Sequence, residues 1–234
     1  MMTRQKHFPN GWPRIYPILD SSFIPPTGRA EFLHKLGSEL AEAGVVLLEY
    51  RNKTGVPNDR SSSLGWKTGG DAQLLSEAEI LRRAMPAGQV KLILDDRAEL
   101  VEKIGFDGVH VDTGDVSPAE ARKMLGPDKI VGTFGGGAAL VPGILQTPAD
   151  YFSIGVVYPT RTKQVTSPPI GIEGVRHLRE LAGPDPVLVA IGGMTPPRAA
   201  AVLAAGATVL AVAGGLFRQP DPAAEFRKWM AELG

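Results

Sequence analysis

The sequence predicts an α/β protein folded as a single-domain (β/α)8 barrel, the TIM-barrel architecture, across all 234 residues. Three observations lead there. Eight short apolar runs rich in β-branched residues recur along the chain. Most are continuous rather than alternating, which is the pattern of parallel strands buried on both faces. Helical patterns fall between the runs, and that alternation at this length suits a closed barrel. A doubly wound open sheet ranks second, because the dinucleotide-binding glycine fingerprint is missing after the first run.

The elements follow in order. Residues 1–13 form a polar N-terminal extension. Strands are expected at Ile15–Leu19, Val45–Tyr50, Lys91–Leu94, Gly108–Val111, Ile130–Phe134, Tyr151–Val156, Val187–Ile191 and Val209–Val212. Leu33, Leu36, Leu40 and Ala43 repeat with helical spacing. Leu100, Val101 and Ile104 give a short apolar face. Ser117–Pro118–Ala119–Glu120 reads as a helix start, with Ser as N-cap, Pro at the first helical position and an acid in the first turn. Thr195–Pro196–Pro197 opens another helix, whose Ala-rich body ends near Ala205 with Gly206 after it. Phe226, Trp229, Met230 and Leu233 form the stripe of a last helix. Two segments lack periodicity. Thr54–Asp71 is a loop insertion after the second strand, either a surface insertion or a lid. Gly135–Thr147 makes a poor helix, so the fifth crossover is expected to be short or irregular.

Composition excludes several function classes. Lys plus Arg and Asp plus Glu each number 25, and the net charge is zero. Nothing in that balance supports binding to nucleic acid or a membrane surface. The absence of cysteine removes disulfides, thiol catalysis and Cys-ligated zinc. No apolar run approaches the ~20 residues of a membrane helix, and the N-terminus lacks the apolar stretch of a signal peptide. A cytoplasmic protein is expected, with homo-oligomerisation left open.

In a barrel, the residues just past each strand converge on one rim. Those are Arg51 and Lys53, then Asp95, Asp96 and Arg97, then Asp112 and Asp115. Thr160, Arg161, Thr162 and Lys163 follow the sixth strand. The glycine pairs Gly192–Gly193 and Gly214–Gly215 follow the last two. Glycine pairs there let backbone N–H groups approach a phosphate closely. The carboxylates offer hard oxygen ligands suited to Mg²⁺, and Arg51, Lys53 and Lys163 are cations suited to a polyphosphate. Surface ion pairs explain the same charges equally well.

Several segments in this order resemble the thiamine phosphate synthase family. They are Tyr16–Pro17–Ile18–Leu19–Asp20, Glu49–Tyr50–Arg51–Asn52–Lys53, Asp95–Asp96–Arg97, and Asp107–Gly108–Val109–His110–Val111 with Asp115 beyond. Pro159–Thr160–Arg161–Thr162–Lys163, Gly171–Ile172–Glu173–Gly174 and Ala190–Ile191–Gly192–Gly193–Met194–Thr195 complete the set. The resemblance spans nearly the whole chain, as far as Leu216–Phe217. It implies a transferase that joins hydroxymethylpyrimidine diphosphate to a thiazole phosphate, giving thiamine phosphate and diphosphate with Mg²⁺ as cofactor. It implies Asp96 and Asp115 as metal ligands, and Arg51, Lys53 and Lys163 as the cations that act on the diphosphate. Glu49, Tyr50, Asn52 and Asp95 would join them in binding substrate. Arg161 would bind substrate too, and Thr160 and Thr162 would hold the thiazole phosphate with Gly193 and the backbone at Ala213 and Gly214. The chain departs from the family's usual residues at four places: Glu49 for Gln, Asp95 for Asn, Phe134 for Ser and Gly214 for Ser. Two alternatives stay open, a thiazole tautomerase and a non-catalytic phosphometabolite-binding barrel.

Overall fold

A computed structural model describes residues 6–53, 69–160, 162 and 167–234. Eight parallel strands close into a barrel in sequence order, the last pairing back to the first. They are β1 (Ile15–Asp20), β2 (Leu47–Arg51), β3 (Lys91–Asp95), β4 (Gly108–Val111), β5 (Ile130–Gly136), β6 (Tyr151–Gly155), β7 (Leu188–Ile191) and β8 (Val209–Val212). Val45 and Val46 precede the second strand rather than belonging to it, because the β2–β3 ladder starts at Leu47 opposite Lys91.

The helices are α1 (Arg29–Glu42), α2 (Gly69–Ala84), α3 (Val101–Ile104), α4 (Pro118–Leu125), α5 (Gly171–Ala182), α6 (Pro196–Ala204), α7 (Gly214–Phe217) and α8 (Pro222–Leu233). Helix α4 starts where the sequence places it. The Ser117 side chain accepts from the Glu120 N–H while the Glu120 carboxylate accepts from the Ser117 N–H, a reciprocal cap. The expected loop Thr54–Asp71 needs correcting at its end. Gly69, Gly70 and Asp71 already belong to α2, and Asp71 anchors that first turn through Arg97 at 2.7 Å. Residues 54–68 of that segment lie outside the described residues. Between β5 and β6 the described chain forms a single 3-10 turn, Ile144–Gln146, in place of a helix. In α8, Phe226 and Trp229 are buried, but Met230 is 37% exposed and lies off the apolar stripe. No helix of the described residues is long and apolar enough to cross a membrane.

Strand side chains alternate between two cores. Outward-facing residues such as Leu48, Tyr50, Leu92, Leu94 and Val109 pack under the helices. Inward-facing residues Tyr16, Ile18, Leu47, Ile93, Ile130, Tyr151, Val189 and Val209 fill the barrel. The N-terminal extension contributes to this inner core. Phe8 is buried there, with Trp12 against it at 4.8 Å between ring centroids. Trp12 in turn meets the edge of Tyr151 at 5.6 Å. Gly132 on β5 makes room for the Tyr151 ring, since a Cβ at 132 would lie 1.9 Å from Tyr151 Cζ.

Candidate active site

A cavity of about 1070 Å³ opens at the C-terminal end of the barrel and draws residues from all eight strands or the loops after them. Strand parity decides which side chains reach it. Glu49 and Arg51 on β2 both line it, two residues apart, so Tyr50 between them turns outward.

The floor is a hydrogen-bonded chain across the barrel. The Tyr16 hydroxyl donates to Glu49 Oε2 at 2.8 Å. It lies 3.0 Å from the Tyr151 hydroxyl, which lies 3.0 Å from His110 Nδ1. Burial, and then the nearby charge of Asp95, push the Glu49 carboxyl up to about 8. Burial and the Glu49 charge hold both phenols above their ordinary range.

One wall is charged. Arg51 is hydrogen-bonded to the Asp20 carboxylate, and its Nε lies 3.2 Å from Asp95 Oδ2. Lys53 is hydrogen-bonded to Asp96, with its Nζ 3.0 Å from Asp95 Oδ2. Asp95 Oδ2 thus sits within ion-pair distance of both cations yet is aligned with neither for a hydrogen bond. Asp96 adopts a left-handed backbone, φ 71°, and its N–H donates to the His110 carbonyl at 2.8 Å. Non-glycine residues in that region mark constrained, often functional positions. Asp115 Oδ2 accepts from the Asp112 N–H at 2.7 Å. Its carboxyl is raised, chiefly by burial.

The metal-binding capacity of this wall follows from its donors. Asp96 Oδ1 is buried with no hydrogen-bond partner among the described residues. Asp115 lies close enough to Lys53 and Asp95 for their charges to act on its carboxyl. No group of three or more His, Asp or Glu side chains among the described residues forms a ready metal cage. An ion that takes one or two carboxylates and completes its shell with substrate phosphates and water fits this donor set, and Mg²⁺ is such an ion.

The opposite corner is built from glycine. Gly192 and Gly193 follow β7 with φ of 104° and 62°. A Cβ at 193 would lie 2.5 Å from the Pro159 carbonyl. Thr160 and Thr162 come to the same corner, where the Thr162 N–H donates to Thr160 Oγ1 at 3.3 Å. Ala213, Gly214 and Gly215 close it from the end of β8.

A family model described as thiamine monophosphate synthase matches residues 15–216. The chain belongs to that family. It is 36% identical to thiamine-phosphate synthase of Koribacter versatilis over 215 residues, spanning 92% of this chain and 94% of that one. It is 37% identical to thiamine-phosphate synthase of Azorhizobium caulinodans over 208 residues, 88% of each chain. The solved structure of thiamine phosphate pyrophosphorylase from Pyrococcus furiosus is similar in fold, with TM-score 0.68 at 20% identity over 94% of this chain and 95% of that one.

Of the residues that the family resemblance implies, the structure brings Glu49, Arg51, Asp95, Thr160, Thr162, Gly193, Ala213 and Gly214 to the cavity lining. Lys53, Asp96 and Asp115 cluster beside Asp95. Tyr50 stands apart: its side chain is buried under the helices and hydrogen-bonded to Glu77. Asn52 donates to the Tyr50 hydroxyl at 2.9 Å. Arg161 and Lys163 lie outside the described residues. Arg97 pairs with Asp71 and Glu99.

The sequence reading missed Asp20 as the partner of Arg51, and also Ser153, Arg198 and Arg218 on the cavity wall. Register was the available signal for Ser153. It sits opposite Phe134 across the β5–β6 ladder, and both side chains line the cavity, so a hydroxyl stands beside the ring.

Proposed function

We propose that the protein is a thiamine-phosphate synthase acting on hydroxymethylpyrimidine diphosphate and a thiazole phosphate. One observation carries this reading. A single cavity holds a cation-and-carboxylate wall on one side and a glycine-lined corner on the other, suited to two phosphorylated substrates at once. Family membership favours synthase chemistry over the tautomerase or a binding-only barrel.

In the family's chemistry the bond from the pyrimidine methylene carbon to the diphosphate oxygen breaks. Diphosphate leaves with the electron pair, and the thiazole nitrogen then forms the new C–N bond to the methylene carbon. The protein's share is positioning and charge stabilisation. Arg51 and Lys53 are assigned to the diphosphate, with Lys163 as a third cation. Glu49 and Asp95 are assigned to the pyrimidine side, above the floor of Tyr16 and His110. Tyr50 and Asn52 are hydrogen-bonded to each other, and Tyr50 is held by Glu77 under the helices. Thr160, Arg161, Thr162 and the backbone at Gly193, Ala213 and Gly214 are assigned to the thiazole phosphate. Asp96 and Asp115 would hold Mg²⁺, which supplies charge neutralisation for the leaving diphosphate.

The test is a diphosphate-release assay with both substrates, with and without Mg²⁺, on the parent protein and Asp96→Ala. Mg²⁺-dependent release coupled to thiamine phosphate is expected, with at least a ~100-fold loss in the variant, the scale of removing a group that stabilises developing charge. Undiminished turnover by Asp96→Ala overturns the metal assignment. Absence of thiamine phosphate overturns the function.

A further inference from the structure

We propose that Arg218 is a side-chain ligand of the phosphate at the Gly193–Gly214 corner, filling the place that glycine at 214 leaves open. The inference rests on the synthase reading for the identity of the phosphate, and on the structure for the residue.

Helical geometry brings Arg218 there. Gly214 and Arg218 lie four residues apart, and the Arg218 N–H closes the turn of α7 onto the Gly214 carbonyl at 3.4 Å. Side chains on a helical turn lean toward its N-terminal end, so residue 218 projects back over residue 214. A Cβ at 214 would lie 2.9 Å from Arg218 Nε and 3.2 Å from Thr162 Oγ1. The space in front of Gly214 is therefore bounded by a guanidinium and a threonine hydroxyl, a cation and a neutral donor aimed at one place.

The guanidinium is supported from behind. It lies over the Phe23 ring at 5.3 Å, and Phe23 stacks on Phe217 at 5.9 Å. An aromatic face holds a guanidinium without consuming its N–H donors. Among the described residues, those donors meet no carboxylate and no carbonyl, whereas Arg51 and Lys53 are paired with carboxylates and Arg198 donates to the Gly193 carbonyl. Arg218 also lines the cavity. A cavity-wall cation with open donors beside two glycines and a threonine is suited to a phosphate dianion, which a planar fork can bind bidentately.

The experiment compares the parent with Arg218→Ala and Arg218→Lys. Each is assayed for KM toward the thiazole phosphate and toward the pyrimidine diphosphate. Binding of inorganic phosphate is followed separately by phosphorus NMR. Arg218→Ala is expected to raise the thiazole phosphate KM about tenfold, the low end for a charge-assisted contact open to solvent. The other KM stays within twofold, inorganic phosphate binds more weakly, and lysine restores part of the loss. An unchanged thiazole phosphate KM with unchanged phosphate binding overturns the assignment. An equal rise in both KM values overturns it too, because that is the mark of a general disturbance. If the parent makes no thiamine phosphate yet loses phosphate binding on Arg218→Ala, the synthase reading fails and the Arg218 site stands.

Discussion

Replacing Glu49 with glutamine tests the floor of the cavity. The carboxyl is 4% exposed, and burial followed by the Asp95 charge moves its pKa from 4.5 to about 8. The groups acting on it are Tyr16 from β1, Arg51 and Lys53 from β2 and the loop after it, Asp95 from β3 and Tyr151 from β6. Between pH 4.5 and 8 the folded protein keeps a proton that the unfolded chain has released. A folded pKa above the unfolded one places this group's stabilising contribution at low pH. It is fully present below about 4.5, falls as pH rises, and is gone above about 8. At about 1.4 kcal/mol per pH unit, the interval from 4.5 to about 8 amounts to roughly 5 kcal/mol. Glutamine keeps the shape and removes the titration. Urea unfolding of both proteins from pH 5 to pH 9 is the assay. The stability of Glu49→Gln relative to the parent should climb by about 1.4 kcal/mol per pH unit up to pH 7 and level off above pH 8. Parallel stability curves across that range would refute the reasoning, because they require Glu49 to titrate alike in both states.

Two further substitutions probe the supports of that floor. Gly132→Ala puts a Cβ 1.9 Å from Tyr151 Cζ. It should cost about 3 kcal/mol or more in urea unfolding and displace Tyr151 from His110. A loss below about 1 kcal/mol would mean the ring has room to move. Trp12→Ala empties half-buried aromatic volume beneath Tyr151. It should cost about 2 kcal/mol, a melting temperature lower by about 4–8 °C. An unchanged melting temperature would reduce the N-terminal segment to a tail.

Much of the barrel was legible because its strands are buried on both faces, so each apolar run marks a strand directly. Ser117 and Glu120 announced α4 through local chemistry alone. The start of α2 was obscured because Gly69 and Gly70 are poor helix formers, and a tertiary partner, Arg97, holds Asp71 in the first turn. In the site, residue types just past the strand ends located the charged wall and the glycine corner. Motif reading carried Tyr50 along with its neighbours, although strand parity sends its side chain outward to Glu77. It also passed over Arg218, whose place over Gly214 depends on a helical turn rather than on adjacency in sequence. Asp20 was quoted for its place in a motif, and its role as the partner of Arg51 needed the β1–β2 pairing.

Three of the four departures from the usual family residues, at Glu49, Asp95 and Gly214, make physical sense when charge is counted; Phe134 changes no charge. Glu49 adds little negative charge at neutral pH, because burial leaves its proton in place. Asp95 does add charge, but it lies at 3.0–3.2 Å from both Lys53 and Arg51 and so draws on cations already present. Asp20, Asp95, Asp96 and Asp115 together then outnumber the two cations of the described wall. Such a wall repels a bare diphosphate and favours one accompanied by a divalent cation, since the attraction between close charges outweighs solvent screening in a partly buried site. The extra carboxylates therefore strengthen the proposed dependence on Mg²⁺. At the far corner the loss of a hydroxyl at 214 works the other way, since it exposes the Arg218 guanidinium to the same cavity. Among the described residues, the chain thus places its negative surplus where a metal can offset it and a cation without a carboxylate partner where a phosphate can bind.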